Sequence, residues 1–204
     1  MDRALTGLLV DWGGVMTTDV FATFGAFCEA EGLSAETIRD RFRSDPASRD
    51  LLIGLEDGTL PEADFELGFA QLLGVAPENL IGRIFAASRL QPAMVDAVRR
   101  ARAAGVRTGM ISNSWGAGSY DRALLDELFD GTVISAEVGI RKPAPEIYGL
   151  GAERIGLAPQ ACVFVDDLGF NLKPAAAIGM ATVRHRQPGE TIDELQRLLS
   201  VRLR

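Results

Sequence analysis

Lysine is almost missing from this 204-residue chain: Lys142 and Lys173 stand against nineteen arginines. Histidine occurs once, at His185, and cysteine twice, at Cys28 and Cys162, far apart in apolar surroundings. With no CxxC pair and no His/Cys cluster, neither a disulfide framework nor a zinc site is expected, and both cysteines read as buried reduced thiols. Long apolar runs are also lacking. The run Leu8-Leu9-Val10 is cut short by Asp11, so no signal-peptide core or membrane span is expected, which predicts a cytoplasmic protein with no membrane partner. No basic cluster exceeds Val98-Arg99-Arg100-Ala101-Arg102, and the formal charge is −7, which argues against nucleic acid as the main partner. An anionic substrate would need locally placed cations, and this makes the position of each lysine informative.

What the chain does have is a large apolar content, 47% of residues, enough for a packed interior. The periodicity alternates. Leu8-Leu9-Val10 reads as a buried strand ending at Asp11-Trp12-Gly13-Gly14, where the glycines allow a tight turn. Residues 17–88 then carry only helical signals: Val20, Phe21, Phe24, Phe27 and Cys28 at helical spacing, Ser34 as an N-cap, Asp45-Pro46 opening a helix, Thr59-Leu60-Pro61-Glu62 as a capping box, and Pro77 starting one more. From Pro92 onward strands alternate with helices: Val106 to Asn113, Val133-Ile134-Ser135, Ala161 to Val165 and Ala181-Thr182-Val183, with Thr191 to Glu194 capping a last helix. The predicted fold is α/β, a doubly wound parallel sheet formed by residues 1–16 and 89–204, with residues 17–88 inserted as a helical cap.

Three apolar strands end in small polar or acidic residues: Asp11, Ser112-Asn113 and Asp166-Asp167. Lys142 opens a helix from a loop on the same expected edge. The C-terminal edge of such a sheet is where open α/β folds bind ligands. Carboxylates gathered there repel one another unless a cation sits among them, and a hard dication such as Mg²⁺ suits Asp11 with Asp166. Lys142 and the Ser112 hydroxyl suit an anion. Metal, lysine, hydroxyl and free carboxylate together describe phosphoryl transfer.

In this order, Asp11, Ser112, Lys142 and Asp166-Asp167, the chain resembles the haloacid dehalogenase superfamily. Arg141-Lys142-Pro143-Ala144-Pro145-Glu146-Ile147-Tyr148 is a near-complete match to the family's lysine segment. Asn171-Leu172-Lys173-Pro174-Ala175-Ala176 and Gly179-Met180 close the last motif, and Gly54 to Leu60 is similar to a turn of the helical cap. The resemblance implies that Asp11 attacks phosphorus and forms an aspartyl-phosphate that water hydrolyses. It further implies that Ser112 holds a phosphoryl oxygen beside Asn113, that Lys142 neutralises phosphate and nucleophile, and that Asp166 binds Mg²⁺. Asp167 would support the metal through its waters, and the Gly13 carbonyl would complete its shell. The chain departs from the family's phosphatases at Gly13, where they usually carry an aspartate as general acid and base. Asp19 is the candidate to replace it. The expected partner is a small phosphorylated metabolite and the expected assembly a monomer or homodimer. A metal-free dehalogenase and a non-catalytic binding protein of this fold stay open as alternatives.

Overall fold

The computed structural model describes residues 5–116, 118 and 120–204. In chain order the elements are β1 (Gly7–Val10), α1 (Val20–Ala30), α2 (Thr37–Ser44), α3 (Pro46–Asp57), α4 (Glu62–Leu73) and α5 (Leu80–Ile84). Next come α6 (Pro92–Ala103), β2 (Arg107–Ser112), α7 (Arg122–Leu128), β3 (Gly131–Ile134), α8 (Ser135–Val138) and α9 (Pro145–Arg154). The chain closes with β4 (Cys162–Asp166), α10 (Gly169–Ala177), β5 (Ala181–Arg184) and α11 (Pro188–Leu199). The five strands form one sheet in the order β3-β2-β1-β4-β5, every pair parallel.

Alternation along β1 explains why the sheet is covered on both faces. Leu8 and Val10 point into one core with Met94, Val98, Leu125 and Leu195, contributed by α6, α7 and α11. Leu9 points into the opposite core with Ile147, Tyr148, Ala152 and Ala175 of α9 and α10. Each fully buried aliphatic or aromatic side chain contributes about 1.5–3 kcal/mol, so neither face tolerates a register slip. The register aligns Val10 with Met110 on one side and Val165 on the other, which brings the C-terminal ends of β1, β2 and β4 side by side.

Helices α1 to α5 bury their apolar faces mainly against one another, around Phe24, Phe27, Ile38, Phe65, Phe69, Leu80 and Ile84. The chain leaves and re-enters the sheet region through a short antiparallel bridge, Thr17 with Leu90, backed by Thr18 N–H on Arg89 C=O at 2.8 Å. One residue outside the segment joins its core. Trp115, in the loop after β2, lies with its ring centroid 5.5 Å from Phe24, 5.8 Å from Phe65 and 5.1 Å from Phe85.

Several helix starts differ from the expected ones, for local reasons. Pro61 rather than Thr59 precedes α4, because Thr59 is held by the Asp57 carboxylate, its hydroxyl donating at 2.6 Å. Ser34 caps nothing; its carbonyl closes a turn onto Thr37 N–H, and α2 begins after Glu36. The terminal helix starts at Pro188, three residues before Thr191, whose hydroxyl pairs with His185 Nδ1 at 2.9 Å. The helix expected from Pro77 is shorter, running from Leu80 to Ile84. Asp45, with Pro46 as first helical residue, caps α3 as its sequence suggests, accepting from Ser48 N–H.

Candidate active site

The carboxylate of Asp11 stands one residue beyond β1, anchored where its own N–H meets Val165 C=O at 2.9 Å. Its Oδ1 accepts from Trp12 N–H at 2.7 Å, and its Oδ2 lies 2.7 Å from Lys142 Nζ. The same ammonium is 2.8 Å from Asp166 Oδ2 at the end of β4. Lys142 is 1% exposed, so a lysine from the loop before α9 is buried as a bridge between two strand ends. Asp166 is further held by Leu168 N–H at 2.8 Å and by Asn171 Nδ2 at 3.1 Å, while the buried Oδ1 of Asn171 has no hydrogen-bond partner among the described residues.

Asp167 completes a trio. Carboxylate oxygens of Asp11, Asp166 and Asp167 lie within 4.8 Å of one another. Gly14, at φ +72°, is what admits Asp167: a Cβ there would stand 2.7 Å from Asp167 Oδ2. The tight turn thus rests on Gly14. Gly13 has no positive φ, and a Cβ there would meet Val20 Cγ2 at 3.0 Å. Three clustered carboxylates with oxygen-only donors fit a hard dication such as Mg²⁺.

Ser112 and Asn113 take different parts. The Ser112 hydroxyl is 2.9 Å from Tyr120 Oη. Asn113 brackets the Lys142 backbone, its Oδ1 accepting from Lys142 N–H at 2.8 Å and its Nδ2 donating to Lys142 C=O at 3.1 Å. The sequence-predicted residues Asp11, Gly13, Ser112, Asn113, Lys142 and Asp167 therefore converge on one cavity of about 840 Å³, with Asp166 directly behind Lys142.

Burial pushes the Asp11 carboxyl well above the usual carboxylate range, and the charges of Asp166 and Asp167 add to that against Lys142. Burial and then Asp166 push Asp167 up to about 6. Burial alone would lower the Lys142 ammonium, but Asp11 and Asp166 outweigh it and hold it above its ordinary value, so it stays charged. A dication among these carboxylates would offset their mutual repulsion and favour their ionised forms. Burial also raises the Tyr120 hydroxyl to about 12, which keeps it protonated next to Ser112.

The cavity walls come from both the sheet edge and the helical segment: Trp12, Phe21, Phe24, Phe42, Phe85 and Trp115 supply a largely aromatic lining. Of the arginines Arg41, Arg43 and Arg49, whose spacing allows them to face a cleft, only Arg43 lines it; Arg41 donates to Leu72 C=O at 2.8 Å and Arg49 to Arg43 C=O at 2.9 Å. Lys173 is exposed on α10, and His185 is buried beside Thr191. Asp19 caps α1, accepting from Ala22 N–H at 2.7 Å. Sequence reasoning did not find Glu56, which is buried at 6% exposure on α3 and reaches Arg141 Nε at 2.6 Å and Asn113 Nδ2 at 3.1 Å. Beside Asp57-Gly58 it reads as a turn residue, and only an acid flanked by Leu55 on an otherwise apolar helix face hints at burial.

A family model described as haloacid dehalogenase-like hydrolase matches residues 5–179. The chain belongs to this family. Over 110 residues it is 39% identical to acyl-CoA dehydrogenase family member 10 of Mus musculus, a match covering 53% of this chain and 10% of that protein. It is 29% identical over 107 residues to the glyceraldehyde 3-phosphate phosphatase of Methanopyrus kandleri, covering 50% of this chain and 46% of that one. The chain thus spans less than half the length of these curated relatives. Among solved structures, a family enzyme of Bacteroides thetaiotaomicron in complex with magnesium and inorganic phosphate superposes with a TM-score of 0.69 at 22% identity, over 89% of this chain and 94% of that one. That likeness shows the haloacid dehalogenase-like fold, with its parallel sheet and flanking helices. Among the described residues no helix is long and apolar enough to cross a membrane.

Proposed function

We propose that this haloacid dehalogenase-like hydrolase is a Mg²⁺-dependent phosphatase of small phosphate monoesters, working in the cytoplasm as a monomer or homodimer on a phosphorylated metabolite. The observation that carries the reading is the buried Lys142 ammonium bridging Asp11 and Asp166 at a sheet edge where Asp167 completes a carboxylate trio. That arrangement places a fixed ammonium and a dication-competent carboxylate trio at the floor of one cavity, and Lys142 together with a bound dication would suit a phosphoryl group.

Asp11 Oδ attacks phosphorus, the ester oxygen departs with the bonding pair, and the resulting aspartyl-phosphate is cleaved by water to return Asp11 and inorganic phosphate. Asp11, Asp166, Asp167 and the Gly13 carbonyl would hold Mg²⁺, which supplies charge neutralisation on the transferred oxygens. Lys142 holds the Asp11 carboxylate in place and offers its remaining donor to a phosphoryl oxygen. Ser112, oriented by Tyr120, binds a second oxygen, and Asn113 fixes the backbone from which Lys142 extends. Residues 17–88 act as a cap whose aromatic walls exclude water and receive the leaving group.

Gly13 brings no proton to that leaving group. General acid catalysis is typically worth about 10²–10⁴-fold, so the substrate is one whose alcohol is already a weak base, such as an aryl, acyl or anomeric sugar phosphate. The aromatic lining agrees with an apolar or aryl body. Asp19 would have to release Ala22 N–H to serve as a substitute acid. The test compares aryl and alkyl phosphates, with and without Mg²⁺ and with halide release from a haloacid followed in parallel, for the parent, Asp11→Asn, Gly13→Asp and Asp19→Asn. Aryl phosphate turnover that needs Mg²⁺ and vanishes in Asp11→Asn supports the reading. Halide release without metal would move the chain to the dehalogenases, and no turnover even in Gly13→Asp, with Val20→Ala to make room, would make it a binding protein.

A further inference from the structure

Arg141 lines the same cavity as its neighbour Lys142, and its setting differs from that of every other arginine there. Arg39 pairs with Glu36 and Arg43 with Asp40 on the exposed surface of α2, and Arg89 donates to the carbonyls of Ala86 and Ser88. Arg141 instead meets a buried acid. Its Nε donates to Glu56 Oε2 at 2.6 Å, and that same oxygen accepts from Asn113 Nδ2 at 3.1 Å. Glu56 is fixed a second time, since its carbonyl accepts from the buried Ser135 hydroxyl.

Arginine–carboxylate pairs frequently take the two-pronged geometry, with two guanidinium nitrogens on two carboxylate oxygens. Here one oxygen takes both bonds. Among the described residues neither Nη of Arg141 donates a hydrogen bond, although the side chain is only 29% exposed. A planar guanidinium held edge-on through Nε presents its Nη pair as a fork, the shape that matches a carboxylate or phosphate. Arg141 lines the same cavity as Ser112, Asn113 and Lys142, and Glu56 links it to Asn113, the residue after Ser112.

We infer that Arg141, aimed by Glu56, receives a second anionic group of the substrate, so that the natural substrate is a phosphate monoester bearing a carboxylate or further phosphate within a few bonds of the ester. This rests on the phosphatase reading above for the first anion. Arg141 is then a specificity-determining residue and Glu56 its positioning residue.

The test uses phenyl phosphate, its 2-, 3- and 4-carboxy isomers and the corresponding phenylene bisphosphates, with the Mg²⁺-loaded protein, and follows kcat and KM separately. A charged hydrogen-bonded pair supports an advantage of about tenfold or more in kcat/KM over phenyl phosphate for at least one compound bearing a second anionic group. Whether carboxylate or bisphosphate gains more names the second anion. Arg141→Gln should erase the advantage, Arg141→Lys should keep part of it, and Glu56→Gln should reduce it while leaving the charge of Arg141 in place. Since a lone Glu56 in a buried site risks misfolding, the double variant Glu56→Gln with Arg141→Gln provides a neutral pair. Calorimetric binding of phenylphosphonate and its carboxy isomers reads the same preference without turnover, so a failed phosphatase reading and a failed assignment of Arg141 remain separable. Equal handling of all isomers by the parent, or an advantage unchanged in the double variant, would overturn the inference.

Discussion

Adding Mg²⁺ at different pH values probes the carboxylate trio directly. Burial and the neighbouring Asp166 push Asp167 up to about 6 from an ordinary 3.8, so the folded state binds a proton more tightly than the unfolded one. A group raised in this way contributes stability that is full below the ordinary carboxylate range and is lost as pH rises through the folded value. The shift corresponds to about 3 kcal/mol as an upper figure, and solvent screening at this half-buried position cuts it to about 1–2 kcal/mol. Asp11 shifts in the same direction, with burial as the main cause, and adds to the loss. A bound dication takes the ionised carboxylates as ligands and removes the loss. At a hundredfold excess over its Kd it adds about 2.7 kcal/mol. For a chain of this size each kcal/mol moves Tm by about 2–4 °C. Thermal melts in about 10 mM Mg²⁺ and in chelator, at about pH 5 and about pH 7.5, should therefore show a Mg²⁺-induced rise several degrees larger at the higher pH. Asp167→Asn should flatten part of the metal-free decline. An equal Mg²⁺ effect at both pH values, or a metal-free difference between parent and Asp167→Asn that grows toward acid, would refute the reasoning.

Other perturbations follow from single contacts. Gly14→Ala forces a side chain into a φ of +72° and against Asp167 Oδ2, so a loss of about 1–2 kcal/mol from the backbone alone should appear in chemical denaturation, with weaker Mg²⁺ binding by calorimetry. Lys142→Met leaves Asp11 and Asp166 buried without their cation, which should cost about 3–5 kcal/mol in chemical denaturation. Trp115→Ala empties the centre of an aromatic cluster, and a loss of about 3 kcal/mol is expected, with limited proteolysis showing earlier cleavage within residues 17–88.

The sheet and the strand ends were legible because they depend on local signals: Leu8 to Val10 can only be buried, and a carboxylate following such a run has nowhere to go but the sheet edge. Lys142 was legible for a compositional reason, since a rare residue beside Pro143 at a helix start stands out. What stayed hidden depends on contacts between distant segments. Nothing near Glu56 announces that Arg141 and Asn113 will close over it, and the pairing arises only once α3 lies against the loop before α9. The glycine pair was legible as a turn, but the need for glycine falls on Gly14 alone, and that is decided by Asp167 arriving from β4. Helix starts shifted wherever a stronger local partner competed, as Asp57 does for Thr59.

Trp115 carries a consequence for how this protein can be re-engineered or diversified. It sits in the loop after β2, two residues beyond Asn113, yet its ring packs into the hydrophobic core formed by helices α1 to α5. Residues 17–88 are therefore joined to the sheet half by more than the two chain crossings: beside the contacts of Glu56 with Arg141, Asn113 and Ser135, a side chain belonging to the sheet half sits inside their own core. A helical segment transplanted from a relative onto this sheet would arrive with its own aromatic centre and collide with the indole, or lack one and leave a void. Replacing residues 17–88 should keep a well-packed fold only when position 115 is replaced with them, because that one loop residue fills the centre of a core encoded well upstream of it.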